Sequence, residues 1–472
     1  MTWLLDTLTR HALHQPNVIA LEDEQQQLSY RTLLMAVDAM TARLKRKGAT
    51  CLALHGDNSV AWVIADLAGQ QAHCVVVPVP TFFSRQQVDH LYRSAGVDVI
   101  YHADTDRLKT REAAAVVLPD ACSKITFTSG STGQPKGVCL TAAQQRSTVV
   151  ALAQRVSRHA GDRHLCVLPL ATLLENVAGV YLPLYLGATV VLRGCAALGF
   201  TGSSQINPLL LFRTLNTTRP QSLILVPELL RLLVLMAEKS LPVPDSLRFI
   251  AVGGGKVDPT LVERAHASGL PAYEGYGLSE SGSVVSLNVP GDNRPGCAGK
   301  PLSHVQVSIS DHGEIQVRGS LMAGYLGDEH APSCWDTGDL GVIDNEGFLR
   351  VSGRRKNLLI SSYGRNINPE WVESACQAED ALHTVVVFGD GEANLSAVMV
   401  PMPGATREKV AAAVSRVNET LPDYARIHHW VLAEEGFSAA DGLATANGRP
   451  RRDAIFNVYH SALQDAERCV SH

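Results

Sequence analysis

The chain has 472 residues, 46% of them hydrophobic and 18% charged, with a formal net charge of -5. Such a length exceeds one ordinary domain, and such a composition fits a soluble protein with ample core. The slightly acidic balance leaves no basic footprint for nucleic acid. From the N-terminus, residues 1–13 read as an amphipathic helix with charges inside its apolar pattern, unlike a signal peptide. The β-branched runs 75–79, 188–192 and 222–226 read as buried strands associated with helical patterns such as residues 228–239, a pattern that predicts a parallel sheet. The most apolar stretch, 177–192, is interrupted by Pro183 and Gly187 and is too short to span a bilayer, so a cytoplasmic protein is expected. Residues 249–252 form a strand running into Gly253-Gly254-Gly255, where backbone must approach something closely. From about Gln306 the texture turns to short antiparallel strands, 306–310 and 314–318 around the Asp311-His312-Gly313 turn, with a second hairpin over 343–349. After Lys356 a small unit follows, with strands at 384–388 and 395–400 and a helix near 407–421. The ten cysteines lack CxxC pairs and histidines at metal-ligand spacing, which predicts buried reduced thiols.

The segment richest in chemistry is Thr128-Ser129-Gly130-Ser131-Thr132-Gly133-Gln134-Pro135-Lys136-Gly137. Glycines let backbone N–H groups close on an anion, hydroxyls add short donors, and Lys136 adds a point charge, a set suited to a polyphosphate. It is not the GxxxxGK[ST] loop, because no Ser or Thr follows the lysine. Further along stand Tyr276-Gly277-Leu278-Ser279-Glu280, Asp336-Thr337-Gly338-Asp339, Gly353-Arg354-Arg355-Lys356 and Asn447-Gly448-Arg449.

In this order, spanning residues 128–449, the five segments resemble the motifs of the adenylate-forming superfamily: acyl-CoA synthetases, peptide-synthetase adenylation domains and luciferases. The resemblance implies an α/β fold with a large N-terminal domain, whose mixed and parallel sheets are flanked by helices beside a β-rich subdomain. A small α+β C-terminal domain would rotate on a hinge. The division expected is 1–353, hinge 354–357 and 358–472. It also implies activation of a carboxylic acid by ATP with Mg²⁺, then transfer to the thiol of coenzyme A or of a phosphopantetheine carrier, an acyl carrier protein being a possible partner. The oligomeric state stays open.

The same resemblance assigns residues. Thr128, Ser129, Gly130, Ser131, Thr132, Gly133 and Lys136 would hold the β- and γ-phosphates. Gly253, Gly254 and Gly255 would wall the adenine, Tyr276 would stack on it, and Gly277 and Ser279 belong to the same motif. Asp339 and Arg354 would meet the ribose. Glu280 would hold Mg²⁺. Lys356 is the hinge, and Gly364 borders the thiol channel. The motif departs at its end: the usual late lysine is Arg449, and no lysine occurs after Lys409. Arginine keeps the charge but is planar and bulkier. With Lys136 and Glu280, Arg449 completes the expected catalytic set; a slowed adenylation step and a non-catalytic ATP-binding homologue stay open.

For the acid, the stretch 168–176 lacks the phenylalanine–aspartate pair of amino-acid-activating members. It resembles the pattern of long-chain acyl-CoA synthetases, with Thr172 where a histidine often sits. A medium- or long-chain fatty acid is the first expectation, with an apolar wall over residues 179–188, and an aryl or other apolar acid the second.

Overall fold

A computed structural model describes residues 3–128, 135–201, 205–328, 330–362, 365–445 and 448–470. Two sheets make most of the large domain. In a seven-stranded sheet, Val75–Pro78 lies parallel to Cys51–His55 on one side and to β1 (Cys122–Thr128) on the other. β1 then turns back antiparallel into β2 (Lys136–Thr141), so Thr128 and Lys136 face each other at the mouth of that hairpin. Helix α1 (Ala142–Val156) follows, its first turn capped by Thr141, whose hydroxyl accepts from Gln144 N at 3.0 Å.

The second sheet has nine strands, with four parallel neighbours at its centre: β3 (Arg163–Cys166), β4 (Ser222–Leu225), β5 (Phe249–Val252) and β6 (Ala272–Tyr276). Helices α2 (Pro227–Glu238) and α3 (Pro259–Ala267) cross over between them, each opening on a proline, where the missing N–H costs no helical bond. Apolar side chains cover both faces, as a parallel sheet requires. The expected parallel sheet therefore exists at the centre of each layer, while hairpins add antiparallel strands at the edges.

The β-rich part is a four-stranded antiparallel sheet holding Val305–Ile309, Glu314–Gly319, β7 (Cys334–Ile343) and β8 (Leu349–Arg354). The small domain packs α4 (Pro369–Gln377) on a three-stranded sheet of Leu382–Phe388, Leu395–Pro401 and Ile427–Leu432, with α5 (Arg452–Val470) behind. It has an apolar cluster of its own, around Val372, Val385, Met399 and Val414.

The apolar stretch over 177–192 ends in the expected strand, Thr189–Leu192, but begins helical in a way the sequence does not announce. Glu175–Tyr181 forms a π-helix and passes directly into the helix Leu182–Leu186. Among the described residues no helix is long and apolar enough to cross a membrane, and the nine of the ten cysteines whose side chains are described are free.

Candidate active site

The motif residues converge on one cleft. Its volume, about 2780 Å³, is larger than a single ligand needs because it runs from the second sheet out between the two domains. At one end lie the hairpin residues Thr128 and Lys136. Lys136 Nζ stands 5.5 Å from the centre of the Tyr325 ring, and the Tyr325 hydroxyl donates to Glu280 Oε1 at 2.8 Å. A cation, a phenol and a carboxylate are thus linked side by side; burial first, and Glu280 second, push the Tyr325 hydroxyl pKa up. Glu280 keeps its carboxylate on the cleft wall, a hard oxygen donor of the kind that suits Mg²⁺ bridging phosphates. Ser129, Gly130, Ser131, Thr132 and Gly133 lie outside the described residues.

Next comes the ribose-motif pair. Asp339 projects from β7 and is buried, accepting from the Tyr276 hydroxyl at 2.6 Å and pairing with Arg354 Nε at 2.7 Å. Burial raises the Asp339 pKa and the Arg354 charge opposes that rise. Asp339 sits within a ten-residue strand, not in a turn. Gly277 is required by close packing: a Cβ there would lie 1.7 Å from the Ser283 carbonyl oxygen. Ser279 and Glu280 share the 3₁₀ turn that follows.

The glycine run closes the opposite wall. Gly253 and Gly255 have room for a Cβ at ordinary contact, whereas Gly254 has φ +83°, a left-handed conformation that favours glycine. Its carbonyl oxygen accepts from Arg449 Nη2 at 2.8 Å. Arg449 therefore reaches from the small domain onto the large one, at the same cleft as Arg354 and Asp339. Surrounding protein lowers its pKa first, and the like charge of Arg354 lowers it further. Lys356 lies on the cleft edge in the exposed 3₁₀ turn Arg355–Asn357. Gly364 lies outside the described residues.

Three features escape sequence reasoning. Glu274, two residues before Tyr276, lines the cleft with Oε2 buried and without a hydrogen-bond partner; burial raises its pKa to about 7 against the pull of Lys256. Lys256 itself donates to the Val351 and Ser352 carbonyls, both at 3.0 Å. The expectation of no histidine near a cysteine is also corrected. His164 and Cys166, two apart on β3 and so on one face, meet Glu175 on the π-helix. Every donor there is satisfied internally: His164 bonds Ser222 at 2.9 Å and Glu175 at 3.3 Å, Glu175 accepts from Leu168 N, and Cys166 donates to the Gly179 carbonyl. The i, i+2 spacing on a strand was the available signal.

Comparison with known proteins agrees with this geometry. A profile of the AMP-binding enzyme family matches residues 8–120 and 105–326, and that of the AMP-binding enzyme C-terminal domain matches 356–468. The chain belongs to the AMP-binding enzyme family, part of the adenylate-forming superfamily. It is 30% identical to a 2-succinylbenzoate–CoA ligase of Bacillus subtilis over 65% of this chain, spanning 63% of that enzyme's length, which is less than two thirds. It is 28% identical to the 2-succinylbenzoate–CoA ligase of Bacillus velezensis over 81% of this chain and 84% of the relative. The structure of O-succinylbenzoate coenzyme A synthetase from Bacillus subtilis in complex with AMP superposes with a TM-score of 0.77 at 25% identity, covering 95% of this chain and 97% of that one.

The fatty acid expected first finds no support in these relatives, and the aryl acid expected second fits them better. In the supposed fatty wall, Val180, Tyr181 and Leu184 are fully buried in packing, while Leu182, Pro183 and Leu186 line the cleft with an apolarity that suits an aromatic body as well as an alkyl chain. An acyl carrier protein likewise has no counterpart among them, since each is named for coenzyme A.

Proposed function

We propose that this enzyme couples ATP cleavage to the joining of an aromatic or other apolar carboxylic acid to coenzyme A. The acid's carboxylate attacks the α-phosphorus of ATP, the bond to the bridging oxygen breaks, and pyrophosphate leaves. The thiolate of coenzyme A then attacks the acyl-adenylate carbonyl, and AMP leaves. The first step presses two anions together, so catalysis is chiefly positioning and charge neutralisation.

Lys136 and the hairpin mouth at Thr128 would receive the departing phosphates, with Ser129 to Gly133 completing the loop. Glu280, held by Tyr325, would carry the Mg²⁺ that neutralises phosphate charge. Tyr276 and the Gly253–Gly255 run would take the adenine, and Asp339 the ribose, exchanging its bonds to Tyr276 and Arg354 for ribose hydroxyls. Arg449 would neutralise charge between carboxylate and α-phosphate. The observation that carries this reading is the Arg449–Gly254 contact, which brings a cation of the small domain to the cleft holding Tyr276, Asp339 and Arg354.

The test is acid-dependent ATP–pyrophosphate exchange over a panel of carboxylic acids, followed by mass detection of the acyl-CoA. Exchange that needs both acid and Mg²⁺, with thioester appearing once coenzyme A is added, is the expected result. ATP binding without exchange for every acid tried would reduce the chain to a non-catalytic homologue and overturn the reading.

A further inference from the structure

The acid compartment has a depth and a charge character that narrow its substrate, on the proposed adenylation reading. Along the central sheet, His164, Ser222 and Phe249 lie opposite one another in register on β3, β4 and β5. Because side chains repeat every second residue, Ile224 and Ala251 occupy the same face one step nearer the nucleotide motifs, and Val226 and Gly253 the next. Phe249, Ala251 and Gly253, together with Ser222, Ile224 and Val226, all line the same cleft. Four residues of strand from Gly253 to Phe249 make a slot about 13 Å deep.

Size falls along β5 from Phe249 through Ala251 to Gly253, so the slot is roomiest beneath the glycine run. Phe249 is braced by Tyr273, whose ring stacks on it at 5.3 Å with planes 9° apart. The facing wall is apolar: Leu174 and Ala178 from the π-helical segment, Leu152 and Val156 from α1. Among the described residues the cations Arg449 and Lys256 stand at the mouth, by the glycine run, and the strand positions of the two deeper levels carry neither lysine nor arginine. The one basic group at those positions, His164, is already bonded to Glu175 and Ser222.

We infer that the substrate is a monocarboxylic acid whose body is an uncharged ring carried on a short chain, and that Ala251 sets how deep that body reaches. 2-Succinylbenzoate, the acid named for the relatives, carries two carboxylates. Once one is aimed at the nucleotide, the other would be stripped of water in the deeper part of the slot, whose strand positions carry no lysine or arginine to meet it. The slot rejects it.

The experiment measures pyrophosphate exchange with benzoate, 3-phenylpropanoate, 4-phenylbutanoate and 2-succinylbenzoate. A phenylalkanoate exceeding 2-succinylbenzoate in kcat/KM by about 100-fold is expected. Equal or better use of 2-succinylbenzoate overturns the inference and leaves adenylation standing; exchange with no acid at all overturns both. Ala251→Leu, checked for folding by its thermal transition, should lose 4-phenylbutanoate while keeping benzoate. Phe249→Ala provides a second test in the other direction, improving use of the longest acid. Unchanged chain-length preference in both folded variants also overturns the inference.

Discussion

Arg449 stands where adenylate-forming enzymes usually carry a lysine, and it still reaches the nucleotide wall through the Gly254 carbonyl. Among the described residues the hydrogen bond its guanidinium makes to protein is the one to the Gly254 carbonyl, so removing it should cost about 1 kcal/mol of stability. Exchange, in contrast, should fall by roughly 100-fold in Arg449→Ala, the usual cost of one charge-stabilising donor. Arg449→Lys should recover part of the loss, keeping charge without the planar fork. Full exchange in the alanine variant would remove Arg449 from the catalytic set. This substitution is legible in the sequence because it interrupts a motif; the state of Glu274 is not, because it depends on how deeply three strands and Lys256 bury it. Its pKa rises from the ordinary 4.5 to about 7, so the folded protein holds a proton there that the unfolded chain has released. Stability from this group is complete below 4.5 and is lost as pH climbs through 7. Glu274→Gln should therefore be more stable than the parent at pH 8, by on the order of 2–3 kcal/mol, and gain nothing near pH 4. Thermal transitions of both proteins at the two pH values measure the difference.

Strand β1 delivers Thr128 to the cleft, and it is anchored by a charge the hydrophobic pattern conceals. Lys124, near the start of that strand, is fully buried. Its Nζ bonds Asp66 at 2.8 Å and Tyr181 at 2.6 Å, and also meets Asn176. Tyr181 in turn donates to Asp66 at 2.6 Å. The network ties the strand before the phosphate hairpin to Val60–Gln71 and to the π-helix, three elements distant in sequence. Local pattern showed the apolar run over 177–192 but did not single out the helix Val60–Gln71. It could not supply the π-helix or this pairing, which arise only when the elements meet. Lys124→Met should destabilise by about 3–5 kcal/mol by leaving Asp66 charged and unpaired. Adding Asp66→Leu should return much of that loss, since the pair itself is worth little beyond its own desolvation. Denaturant melts of the single and double variants decide the point; equal destabilisation in both would mean packing, not charge, dominates.

The β-rich part was legible as a change of texture near Gln306 and the small domain as a unit after Lys356, but not their mutual orientation, which depends on contacts between residues far apart in the chain. In the orientation observed, the C-terminal end of α4 is held by arginines of the large domain. Arg231 donates to the Glu379 carbonyl at 2.6 Å and Arg264 to the Ala378 carbonyl at 2.9 Å, where a helix end carries partial negative charge. These contacts and Arg449–Gly254 form together, so we take this arrangement as the adenylating one, with 1–353 and 358–472 as the moving bodies. Turning to receive the thiol must break all three contacts and redistribute backbone angles within 354–357. Gly353 cannot share that change with other residue types, because a Cβ there would sit 1.8 Å from the Asn368 side chain. We propose Lys356, in an exposed turn whose side chain is not needed for packing, as the residue that absorbs the change. Lys356→Pro fixes φ near the value a 3₁₀ turn already uses, so adenylation should stay within about 3-fold of the parent. Thioester formation from the preformed acyl-adenylate should fall by roughly 100-fold, because the second orientation requires a different φ at that residue. Single-turnover measurement of the two half-reactions separates them, and equal loss in both would show that the turn supports the adenylating state without being the pivot.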